Sequence, residues 1–108
     1  MPSLYLSAPN AKTQEAAGFY KDFYIILASG KGPDYGISSN LIKQISAGMR
    51  VVVFDRDRRL RAEGVLTHYA ACGKAGNGVI RYDVYIRDLI RVAYYDPPRV
   101  NRCGVAVV

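Results

Sequence analysis

Four arginines, Arg56, Arg58, Arg59 and Arg61, fall within six residues of the segment DRDRRLR. A guanidinium group is permanently charged, planar and able to donate two parallel hydrogen bonds, which matches the geometry of phosphate oxygens. At a hairpin tip such long side chains reach an extended polyanion and hold it by counterion release, with little sequence preference. A second set, Arg81, Tyr85 and Arg87, recurs with two-residue spacing in VIRYDVYIR, and Arg91 follows. On an exposed strand face these residues would offer stacking surfaces to unpaired bases. A plainer reading stands beside this one. Asp55, Asp57, Asp83 and Asp88 are placed to neutralise the arginines as a solvated face of ion pairs. The residues alone leave both readings open.

Catalysis has less support. His68 is the only imidazole in the chain, and its neighbours Thr67 and Tyr69 do not complete a triad. Strand alternation places His68 on the same face as Leu66. Cys72 follows four positions later, and a thiol that close to an imidazole could be activated as a nucleophile. No carboxylate or oxyanion donor is spaced to serve such a pair, so no catalytic residue is assigned and no cofactor is expected. Cys72 and Cys103 with one histidine are too few for the four ligands of a zinc site, so no metal is expected. The two cysteines are either reduced thiols or, in a hyperthermophile, a structural disulfide. In the chain-entropy model that bond would stabilise the fold by roughly 3–4 kcal/mol. The glycine-rich segments GKGPDYG and GKAGNG lack the ending of a P-loop and open no helix pattern, so they read as connections. Lys31 and Lys74 within them leave a phosphate contact open. Tyr24 and Tyr35 flank the first of these segments and either line a mouth there or pack in the core.

The charge balance raises the odds of a polyanionic partner, though basic small domains are common and many bind no nucleic acid. The net charge is +6 and the pI is near 9.5. Four lysines face three acids before Met49, whereas ten arginines and Lys74 face six acids after it. Positive charge gathered on one half of a chain raises the local potential seen by nucleic acid. Nine tyrosines without a tryptophan, and arginine in excess of lysine, suggest a thermophilic, archaeal source.

At 108 residues the chain supports one hydrophobic core and so one domain. Half of its residues are apolar and 22% are charged, a balance that folds. No run of 18 apolar residues is present, so no membrane span is expected. MPSLYLSAPNAK has neither the basic start nor the apolar stretch of a secretory signal, which points to the cytoplasm.

The elements that must position these groups are mostly strands. SLYLS, residues 3–7, reads as a strand, Pro9 and Asn10 as a turn, and residues 11–21 as a brief helix interrupted by Gly18. DFYIILAS, residues 22–29, reads as a buried strand, and residues 30–36 as a loop. SSNLIKQISAG, residues 38–48, reads as a helix capped by Ser38 or Ser39, with Leu41, Ile42 and Ile45 on one face and Gly48 at its end. RVVVFD, residues 50–55, is a strand, residues 56–59 a turn, and residues 60–69 the return strand, with a bulge or bend at Gly64. Residues 71–78 read as a loop. In the strand that follows, Ile80, Tyr82, Val84 and Ile86 face one way and Arg81, Asp83, Tyr85 and Arg87 the other. It continues after a kink until Asp96, Pro97 and Pro98, and GVAVV closes the chain as a last strand. Five to six strands with one or two short helices give an α+β, mainly β architecture: a small barrel that removes open edges.

Within this order the segments ISAGMRVVVFD, GVLTHY and YDVYIRDL, spread over residues 37–95, resemble the PUA-like barrel superfamily of PUA, ASCH and EVE domains. Members of that superfamily are pseudobarrels, often RNA-binding or linked to modified bases. The resemblance therefore implies a PUA-like pseudobarrel that binds RNA or single-stranded nucleic acid. The sequence has no tryptophan for an EVE-type base pocket and no ASCH-type charged catalytic set. From a different class, the exposed tyrosines and the apolar tail would bury against a second copy, making a homodimer or interaction module, since Tyr and Arg also dominate interface energetics.

Overall fold

The computed structural model describes residues 2–8, 22–74 and 78–108. The turn at Pro9–Asn10 and the helix expected over residues 11–21 lie outside these. Six strands form one sheet: β1 (Ser3–Ser7), β2 (Lys31–Gly36), β3 (Arg50–Asp55), β4 (Leu60–Lys74), β5 (Ile80–Val92) and β6 (Val105–Val107). Among the described residues two short helices accompany them, α1 (Phe23–Ser29) and α2 (Ser39–Ile42). The order across the sheet is β2-β5-β4-β3-β1-β6, with β1 parallel to β3 and every other pair antiparallel. The mainly β, α+β fold expected from the sequence is the one observed.

The sheet curls into a half-barrel. Tyr35 on β2 donates its hydroxyl proton to the Ser7 carbonyl on β1 at 2.8 Å, although three strands separate β2 from β1 in the sheet. The curl comes from irregularities in the long β4–β5 ribbon, whose register shifts three times. At the first shift Gly64 faces Asp88 and Leu89. A Cβ on Gly64 would stand 2.7 Å from Ile86 Cγ2 and 2.8 Å from the Arg87 carbonyl, so only glycine lets the strands approach. Asp88 takes a positive φ of 54° there, which is the kink expected in β5. The concave face holds the main core, built from Leu4, Leu6, Phe23, Ile26, Val51, Val53, Leu66, Val84 and their neighbours. On the convex face Tyr5, Val52 and Phe54 form a second, smaller core against Val100 and Ala106. The irregular segment 93–104, which carries the chain from β5 to β6, supplies that cover.

Several local expectations are corrected. Residues 22–29 form helix α1, not a buried strand. Asp22 accepts from the Tyr24 amide at the N-cap, and Gly30 ends the helix in the left-handed conformation with its N–H on the Ile26 carbonyl. These caps outweigh the β-branched composition, and burial falls only on Phe23 and Ile26, one helical face. Residues 31–36 form edge strand β2 rather than a loop. Pro33 and Asp34 sit at a bulge in its pairing with β5, where the proline needs no ladder donor. The helix at Ser38 is capped as expected, Ser38 Oγ accepting from the Leu41 amide, but ends at Ile42 instead of Gly48. The chain must leave the helix early because Ile45 and Met49 turn into the core and the Gly48 amide donates to the Leu66 carbonyl. Strand β4 runs on through Lys74, so residues 71–74 are strand and not loop.

Candidate nucleic-acid interface

The arginines expected to bind phosphate separate into two groups. Arg58, in the β3–β4 turn, donates to both Asp55 and Asp22, the latter at 2.6 Å. Arg61 is fully buried on the convex face. Its Nε donates to Glu63 at 3.2 Å, its Nη1 to the Tyr95 carbonyl at 3.2 Å, and its guanidinium lies against the Tyr95 ring. Arg81 pairs with Asp34 at 3.2 Å. Burial takes Arg61 out of reach of a phosphate, while Arg58 and Arg81, still partly exposed, have their charge matched by Asp55, Asp22 and Asp34. Arg50 likewise pairs with Glu63, and Lys31 with Asp83. Arg87 pairs only with Asp88 on the open surface, the two side chains 60% and 75% exposed, so water screens the pair and a phosphate can compete for it.

Arg56 and Arg59 remain from the turn, with no carboxylate within 4.0 Å among the described residues. Arg56 lies over the Phe54 ring and lines an open hollow of about 430 Å³ with Pro97, Arg99 and Val100. Arg59, held by a positive φ of 55°, stacks over the Tyr94 ring at 4.6 Å. The Tyr94 hydroxyl donates to Asp96. Partial burial and the Asp96 carboxylate push the phenol up, while the positive charges of Arg56 and Arg59 pull the other way, so both arginines act on this ring. Arg99 comes from the 93–104 segment and was not singled out from the sequence. Only the crossing of that segment over the convex face brings it to the turn.

The second expected surface is partly occupied. The Tyr85 ring is stacked by His68, with centroids 4.3 Å apart and planes at 7°, and the Lys31 ammonium stands 5.8 Å from its centroid. His68 does not share the face of Leu66. A register shift between Leu66 and His68 leaves Thr67 as an extra residue, so His68 joins Tyr85 on the convex face. The inner positions of β5 behave as expected at Tyr82, Val84 and Ile86, while Ile80 is exposed.

No thiol is bridged. Cys72 Sγ faces Asp34 Oδ1 at 3.6 Å on the convex side, whereas Cys103 packs against the main core beside Gly36, so of the two alternatives the thiols are free and the disulfide is absent. Desolvation first, then the carboxylates of Asp83 and Asp34, raise the Cys72 pKa. A thiol so placed is the reverse of an activated nucleophile. Tyr35 is buried in the core rather than at a mouth, and Tyr24 lies exposed on α1 beneath Arg58 and Arg91. Among the described residues no group of three or more His, Cys, Asp or Glu is arranged to hold a metal, and no helix is long and apolar enough to cross a membrane.

No family model matches the chain, and neither a curated protein nor a solved structure matches it.

Proposed function

We propose that the protein binds RNA or single-stranded nucleic acid through the hollow lined by Arg56 and Arg99, with Arg59 of the same turn beside it. One observation carries this reading: Lys31, Arg50, Arg58, Arg61, Arg81 and Arg87 pair with acids, whereas Arg56 and Arg99, which line one hollow, and Arg59 of the same turn have no carboxylate within reach among the described residues. Asp57 and Asp96 stand in the same region and temper its potential, which suits modest, salt-sensitive binding rather than tight recognition. Tyr94, half-buried beside the turn, adds an aromatic margin on which a base can rest. The same proposal takes the protein to be a PUA-like barrel, a class with frequent RNA ligands, in the cytoplasm of a thermophilic archaeon.

Fluorescence anisotropy with a labelled single-stranded RNA oligomer tests it. Binding at low salt that falls steeply toward moderate salt, and that is lost in Arg56→Glu/Arg99→Glu, is the expected result. Absence of binding at low salt would overturn the proposal. A second reading is self-association, favoured by the exposed Ile90 (63%), Tyr95 (54%) and Val108 (66%). Light scattering that shows a dimer insensitive to Arg56→Glu would select it.

A further inference from the structure

We propose that His68 is the outer ring of a base-stacking platform, a second contact for the single strand whose phosphates the basic hollow holds. This rests on the function proposed above and adds a residue to it. The imidazole is fixed from two sides. It lies flat on Tyr85, and its Nδ1 meets Thr67 Oγ at 3.1 Å. That hydroxyl has one proton, and it donates it to the Tyr85 carbonyl at 3.1 Å. Thr67 Oγ must therefore accept from His68, so Nδ1 carries a hydrogen.

The arrangement leaves one aromatic face for a ligand. Tyr85 is flanked by His68 from β4 and by Lys31 from β2, strands on opposite sides of β5. His68 is exposed, so its outer face is the open end of the stack. A ring already ordered by a bulge, a hydrogen bond and a stacking partner loses little entropy when a base settles on it. Arg87 lies two positions along β5 from Tyr85, exposed and weakly paired, where it can meet the phosphate beside a stacked base.

Platform and hollow share the convex face. Arg61, which clasps the segment carrying Arg99, and His68 lie seven residues apart on β4, at most about 23 Å at ~3.3 Å per residue. A span of this size suits single-strand sites of about four nucleotides or more. A duplex is a poorer fit, because its bases are already stacked and offer His68 no open face.

The chain has one histidine, so its imidazole proton signals are unambiguous reporters. Titration with an eight-nucleotide oligouridylate should move them upfield by ring current, and linear polyphosphate should not. His68→Ala should weaken binding of the eight-mer about tenfold, the value of one stacked base, with polyphosphate binding unchanged and His68→Phe restoring the loss. If the eight-mer binds His68→Ala as tightly as the native protein, or saturates the native protein without moving the imidazole signals, the platform is wrong while the hollow stands. If neither ligand binds the native protein at low salt, the hollow fails and the platform with it.

Discussion

The guanidinium carbon of Arg61 lies 3.5 Å from the centroid of the Tyr95 ring, and the carbonyl of the same tyrosine accepts from Arg61 Nη1. Tyr5 faces the guanidinium from β1 at 5.7 Å. The segment that brings Arg99 to the hollow is thus clasped to the sheet by one buried cation.

Loss of that clasp should be costly. Arg61→Ala leaves Glu63 with Arg50 alone and empties a fully buried site, and breaking a buried pair of this kind costs roughly 3–5 kcal/mol. Arg61→Met keeps much of the volume without a charge to satisfy. It removes as well the one buried side-chain nitrogen, Nη2, that has no partner among the described residues. It should therefore lie well above Arg61→Ala in urea denaturation. Equal midpoints for the two variants would mean that packing volume at this site contributes nothing, since both remove the ion pair with Glu63.

Two glycines of β4 should respond in opposite ways. At Gly64 a methyl group meets Ile86, the Arg87 carbonyl and the Leu89 Cα at 3.0 Å or less, so Gly64→Ala should destabilise by about 2–3 kcal/mol. At Gly73 nothing stands within 4 Å of a new Cβ, and Gly73→Ala should be neutral or slightly stabilising. Thermal unfolding of both variants measures the difference.

The parts of the fold legible in the sequence were those written in local signals. Ser38 announced its cap, Gly64 its bulge, and the alternation at Tyr82, Val84 and Ile86 its inner face. Phe23–Ser29 was misread because hydrophobic composition was weighed above Asp22 and Gly30, whose caps decide the element. The site was less legible for a different reason. Whether Arg58 or Arg56 is free depends on Asp22, which is 36 positions from Arg58, and no spacing within the turn reveals it. Arg99 escaped notice because a long crossing segment delivers it, and His68 was placed on the wrong face because a register shift moves it.

Alkaline pH should unfold the protein through Tyr35. Burial raises its phenol well above the ordinary value near 10, so the folded state keeps a proton that the unfolded chain releases. The unfolded state binds fewer protons above pH 10. Stability is therefore whole below about pH 10 and falls as pH climbs from there toward the raised value, by up to ~1.4 kcal/mol per unit. Tyr35→Phe should lose about 1 kcal/mol at neutral pH with the bond to Ser7, and show a shallower alkaline decline. Denaturation midpoints between pH 8 and 11 test both statements.

The Cys72 thiol should react slowly. Its pKa is raised by desolvation and by Asp83 and Asp34, so less thiolate is present at pH 8 than for an ordinary cysteine. Asp34→Asn, which keeps a residue tolerant of the positive φ of 62°, should speed iodoacetamide labelling severalfold. A thiol count on the unreduced protein should find two free groups.

Salt dependence should report how many phosphates the hollow engages. Arg56, Arg59 and Arg99 acting together on a single strand give a slope of log K against log salt of about −2, from ~0.7 per phosphate contact. Arg99→Ala should make that slope shallower by roughly 0.7 and weaken binding to all sequences alike, because a phosphate contact carries no base information. Arg58→Ala should instead leave the slope unchanged and lower the stability of the fold, since its charge is spent on Asp55 and Asp22. A slope near zero for the native protein, or an Arg58→Ala slope that falls as far as that of Arg99→Ala, would show that the division between free and paired arginines is not what governs binding.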